Sequence, residues 1–182
     1  MKKLLWLPIL LLSFGLTSCE ESTSSDDDNG GGGGTQIGAG VVSAKIGSES
    51  WTSNSGASYA YAAYNNEWLV IYGQSYKVEG TTVKQKQISL SIYQPKTGTR
   101  SVGVETGTVY ATLTVTEGSN TKIYVSYKEN SGTINMTKWD TSGKIASGTF
   151  SFDATEGGDP NGTVISVTNG SFDVKYNQFT KK

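Results

Sequence analysis

From Gly38 onward, apolar and polar positions alternate with a period of two in short runs separated by turn residues. VVSAKI (41–46), SYAYAAY (58–64), WLVIYG (68–73), ISLSIY (88–93) and TVYATLTV (108–115) come first. KIYVSY (122–127), TINMTKW (133–139), GTFSFDA (148–154), TVISVT (163–168) and SFDVKY (171–176) follow. Ile88, Leu90 and Ile92 share one side while Ser89, Ser91 and Tyr93 share the other, as half-buried strands require. Val, Ile, Thr, Tyr and Phe dominate the runs, and no stretch repeats apolar residues at helical spacing for three turns. Asn65-Asn66, Asn130-Ser131-Gly132 and Thr141-Ser142-Gly143 fit hairpin loops. Asn169-Gly170 fits a two-residue type I′ turn, and Asp159-Pro160-Asn161-Gly162 a type I turn. The pattern predicts a single all-β domain over 36–182. A single antiparallel β-sandwich of about ten strands is expected, with a closed or partly open up-and-down barrel, lipocalin-like, as the alternative.

Hydrophobicity changes character before Gly38. Lys2 and Lys3 precede the apolar run LLWLPILLLSFG (4–15), and small residues lead to Cys19, the single cysteine of the 182-residue chain. Twelve helical residues span about 18 Å, short of a hydrocarbon core of roughly 30 Å, so residues 1–18 read as a cleaved signal rather than a membrane span. LTSC (16–19) resembles the lipobox of bacterial lipoproteins. That resemblance implies cleavage before Cys19 and acylation of its sulfur, and two or more buried chains hold a protein stably on a membrane. Residues 20–35 contain no hydrophobic residue, so 19–35 reads as an acylated cysteine followed by a disordered acidic and Gly-rich tether. The acidic run after Cys19 resembles the export signal that sends some Bacteroidota lipoproteins to the outer face of the outer membrane. The expected location is therefore the outer membrane, lipid-anchored, at the cell surface rather than the periplasmic face. GTINMTKWD (132–140), KIASGTFSFDA (144–154) and TVISVTNGSFDVKY (163–176) resemble a family of uncharacterised Bacteroidota lipoproteins, with AKIGSESW (44–51) similar to its N-terminal strand. The resemblance implies an exported all-β domain and supplies no activity or site residues.

Charge and composition exclude several functions. Residues 35–182 carry thirteen Lys and Arg against eleven Asp and Glu without a basic cluster, leaving no electrostatic footprint for nucleic acid. The chain has no histidine, which removes Ser-His-Asp and Cys-His catalysis and the common zinc sites. No cofactor is expected. Glu67, Asp140, Asp153 and Asp173 are the carboxylates that could pair for glycoside hydrolysis, a remote alternative, and Asp173 is expected to face solvent or to pair with neighbours on the Lys175 side. The loop DATEGGDPNG (153–162) groups oxygens without the EF-hand ligand spacing for calcium. The aromatics carry more weight. Trp68, Tyr110, Tyr124 and Trp139 are the candidate ligand-binding rings, the last three lying on Ser/Thr-rich sides of their strands. Exposed rings flanked by Ser, Thr and Asn stack on sugars or anchor proteins. The expectation is a non-catalytic binding module, with a glycan or an envelope protein as partner, on a membrane anchor at Cys19. The alternative is an accessory subunit of an envelope complex.

Overall fold

A computed structural model describes residues 36–104 and 107–178; Cys19, the signal and the tether lie outside them. Eleven strands form one mixed sheet. They are β1 (Val41–Ile46), β2 (Glu49–Thr52), β3 (Ala60–Asn65), β4 (Trp68–Glu79), β5 (Thr82–Tyr93) and β6 (Gly98–Val102). β7 (Val109–Glu117), β8 (Asn120–Val125), β9 (Gly132–Asp140), β10 (Ile145–Glu156) and β11 (Val164–Gln178) complete the domain. The domain is all-β, as the alternation predicts. No helix among the described residues is long and apolar enough to cross a membrane.

The pairings run as a circuit, β11-β3-β4-β5-β7-β8-β10 and back to β11. Two links in it are short: β3 meets β11 in parallel only at Ala62–Tyr64, and β8 meets β10 only through Val125 and Tyr124. β1 shares the β3 edge of β11 and carries β2, while β9 shares the β8 edge of β10 and carries β6. A partly closed barrel and a sandwich joined at both margins describe the same connectivity.

Alternation places the core inside this circuit. Leu69 and Ile71, Ile88, Leu90 and Ile92, and Val109, Ala111 and Leu113 line one wall. Ile134, Met136, Phe150, Phe152, Val167, Phe172 and Val174 line the other. The runs 163–168 and 171–176 are not two strands with a turn between them. β11 is continuous, and Asn169 and Gly170 form a bulge in it: Ser43 opposes Ser171 while Lys45 opposes Thr168. Asn169 takes the positive φ of 51°. Gly170 serves packing instead of a turn. It lies opposite Phe150, and a Cβ there would sit 2.5 Å from the Phe150 ring. Two rows away the arrangement is mirrored, with Gly148 opposite Phe172 and its ring 2.7 Å from where a Cβ would stand. The glycines of SGTFSF and TNGSFD thus each accommodate the phenylalanine of the other strand.

Four strands go beyond the sequence expectation. β4 and β5 run on through Gln74–Gln87 as a long hairpin, and β2 and β6 are additional margin strands. Four of the hairpin's six inward positions past the core are charged. Lys77 and Lys84 pair with Glu79, Lys84 also with Glu117, and Lys86 with Glu49. Hydrogen bonds from Lys77 and Lys84 hold the exposed Glu79 carboxyl at about 2.

Candidate binding face

The outward positions of β3, β4, β5, β7 and β8 follow from the same alternation, because the register puts like faces opposite one another. Row by row, Asn65, Trp68 and Tyr93 align; Ala63, Val70, Ser91 and Tyr110 align; Tyr61, Tyr72, Ser89 and Thr112 align. Gln74, Gln87, Thr114 and Ile123 continue the face, followed by Tyr76, Gln85, Thr116 and Thr121. No outward position in these rows is charged. Every ionic side chain of the β4–β5 hairpin lies on the opposite side, against a cleft of about 370 Å³ whose charged residues pair with one another.

Five rings gather on the uncharged face. Trp68 lies 5.2 Å from Tyr93 and 5.8 Å from Tyr110, and Tyr61 stacks on Tyr72 at 5.0 Å. Small residues on the middle strand make this possible. Trp68 on β4 and Tyr110 on β7 meet across β5, where Ser91 is covered to 5% exposure. The rings themselves keep surface in water, and Tyr61 is 38% exposed. Burial, followed by the neighbouring phenols of Tyr61 and Tyr110, raises the Tyr72 pKa. The Tyr72 phenol therefore stays a neutral hydroxyl at physiological pH.

The face ends at a strained turn. Asn66 and Glu67 join β3 to β4 with φ of 49° and 68°, the type I′ geometry that Asn-Gly adopts without cost. A glutamate in the left-handed region costs about 1–2 kcal/mol relative to its relaxed backbone. Its carboxylate accepts hydrogen bonds from Tyr93 Oη at 2.8 Å and Gln94 Nε2 at 2.9 Å. Those bonds, Gln94 first, hold the Glu67 pKa below the ordinary value, and the bond to Glu67 raises that of Tyr93. Gln94 is itself at φ 45°, and its N–H donates to the Glu67 carbonyl at 2.7 Å. Arg100 donates to the Tyr93 carbonyl at 2.6 Å, fixing the end of β5 from the far side.

Of the four rings singled out by sequence, Trp68 and Tyr110 come together, and Tyr124 and Trp139 do not join them. Tyr124 lies opposite the buried Leu113 and packs against the core. Trp139 lies inside because β9 bulges between Met136 and Lys138, which reverses the parity of the residues that follow. There it stacks on Tyr176 at 4.6 Å and meets Tyr64 edge-on at 5.4 Å. Tyr61, Tyr72 and Tyr93 complete the face, and Glu67 bounds it at the β3–β4 turn; Tyr93 was accessible to sequence reasoning through its place beyond Ser89 and Ser91.

The candidate carboxylates occupy separate places. Asp140 accepts the Ser142 and Gly143 N–H groups in its own turn, and Asp153 accepts from Ser166 Oγ. Around the 153–162 loop, Asp159 accepts the Asn161 N–H, and Glu156 pairs with Lys122. No group of three or more Asp or Glu converges as a metal site among the described residues. Asp173 does not simply face solvent. It accepts from the N–H groups of Ile37, Gly38 and Ala39 at 3.2, 2.9 and 2.9 Å and from Ser147 Oγ at 2.6 Å. Burial pushes its pKa up, but these four bonds outweigh burial and leave it lowered. A lowered folded pKa stabilises the docked segment above the unfolded value near 3.9, and that contribution is lost as pH falls through the folded pKa. Amide exchange at Ile37–Ala39, taken relative to the intrinsic rate at each pH, is therefore expected to accelerate in acid. Asp173→Ala should accelerate it at neutral pH and cost roughly 1.5–3 kcal/mol, read by hydrogen exchange and thermal melting.

No protein-family model, curated protein or solved structure matches this chain. Fold and site together define an all-β domain of barrel-like connectivity with one uncharged, aromatic outer face.

Proposed function

We infer that this is an exported binding module whose outer aromatic face takes neutral glycans, held on the outer membrane by acylated Cys19. The observation that carries the inference is the charge-free face itself. Stacked rings offer flat apolar surface to the C–H faces of sugars, and the surrounding Ser, Thr, Gln and Asn offer hydrogen bonds without electrostatic bias. An anionic polymer finds no complementary charge there. The domain's mounting is consistent with this use. The entering chain is pinned to β9 and β11, through Gln36 Nε2 to Thr137 Oγ1 at 2.6 Å and through the Asp173 bonds. Trp68, Tyr93 and Tyr110 lie on β4, β5 and β7, two or three strands from β11 in the circuit and away from where the entering chain docks.

Retention of the purified protein on a panel of neutral and charged polysaccharides tests the glycan assignment. Selective retention by neutral polymers supports it, and equal passage through every matrix transfers the weight to an accessory role in an envelope complex. Anchoring has a separate test. Cys19→Ala is expected to abolish incorporation of labelled palmitate and to release the protein from the membrane fraction; unchanged fractionation would remove the lipid anchor from the account.

A further inference from the structure

The geometry points to Glu67 as the specificity-determining residue of the aromatic face, a carboxylate clasp for two adjacent hydroxyls on one sugar of a neutral glycan. The inference rests on the glycan-face proposal and adds the chemistry that would select among glycans.

Three observations converge on this residue. Its location comes first: it sits in the turn that bounds the uncharged face, and the Tyr93 phenol that donates to it belongs to a ring 5.2 Å from Trp68. A sugar stacked on those rings has its hydroxyl edge beside the carboxylate. Acceptor capacity is the second. An ionised carboxylate offers about four lone-pair sites on two oxygens. Tyr93 takes one on Oε2 and Gln94 one on Oε1, so each oxygen keeps a further acceptor site, one for each of two neighbouring hydroxyl donors. The two donors also fix the carboxylate's rotamer, so ligand binding does not have to order it.

Backbone strain is the third. At φ 68°, position 67 favours glycine, and glutamate there is held against its own preference. Gln94, whose amide steadies the same carboxylate, is likewise left-handed at φ 45°. Glu67 and Gln94, two of the six described non-glycine residues with positive φ, thus each contribute a side chain to one hydrogen-bonded cluster.

Strain also makes the inference separable from a structural role. Glu67→Gly relieves the backbone, so the variant should melt within about 2 °C of the parent protein or above it. Its binding should fall at least tenfold on whichever neutral polysaccharide the parent retains. Per-O-methylation of that polymer removes its hydroxyl donors while keeping the sugar faces. The parent protein should therefore prefer the native polymer at least tenfold, and Glu67→Gly should lose most of that preference. Trp68→Ala should weaken both forms. A Glu67→Gly protein that still prefers the native polymer as strongly as the parent, or that melts many degrees lower, overturns the clasp while leaving the stacking face intact. Failure of the parent protein to bind any neutral polysaccharide overturns the face itself.

Discussion

Phe150→Ala is expected to lower the unfolding free energy by about 3–5 kcal/mol, and adding Gly170→Ala to it should cost little more. In the parent background Gly170→Ala alone should cost about 1–3 kcal/mol, an overpacking penalty. The reason is local. All three atoms that a Cβ at 170 would meet most closely belong to the Phe150 ring, at 2.5–2.6 Å, and Gly170 has no positive φ to add backbone strain. Once the ring is gone, the methyl group enters the space it leaves. The two sites are direct partners in the β10–β11 ladder, so their effects should be coupled by more than about 1 kcal/mol in a double-mutant cycle. Gly148→Ala behaves differently, because there a Cβ also meets the Asn135 carbonyl, 2.3 Å away, which trimming Phe172 does not move. Chemical denaturation of the three variants reads this; strictly additive costs at 150 and 170 would show that the ring does not fill the glycine's place.

These glycines also mark where the sequence was legible and where it was not. Segments with apolar residues strictly on alternate positions, such as Ile88–Ile92 and Val109–Val115, declared both strand and inward face. The polar half of the β4–β5 hairpin did not, since Lys77, Glu79, Lys84 and Lys86 point inward beyond the core and its alternation separates charge from Tyr, Val and Gln. Asn169-Gly170 carries turn chemistry, yet long-range pairing on both edges of β11 keeps the strand continuous, and the pair is absorbed as a bulge. The bulge in β9 is silent in sequence and moves Trp139 from the expected outer side to the interior. As for the binding face, Trp68 and Tyr110 were visible as rings on strands. Their meeting across Ser91 depends on register, which a single sequence does not state.

The second large effect concerns binding. Replacing Trp68 and Tyr110 together by Ala should weaken glycan binding by about thirtyfold or more, the loss of about 2 kcal/mol that truncated aromatic anchors produce. The two rings touch and share the cover over Ser91, so single replacements should each produce much of the loss and should not add. Stability should change less, because both rings lie on the outer face and neither belongs to the buried core. Tyr124→Ala removes a ring that packs against the core on the opposite face of the sheet, and it serves as the matched control.

Affinity electrophoresis of the parent protein, the Trp68→Ala/Tyr110→Ala variant and the Tyr124→Ala variant through the same neutral polysaccharide is the most direct test. Retarded migration of the parent and Tyr124→Ala proteins, with free migration of the double variant, is the predicted result. Equal retardation of all three, or loss of retardation with Tyr124→Ala alone, would contradict the assignment of the outer aromatic face as the binding site.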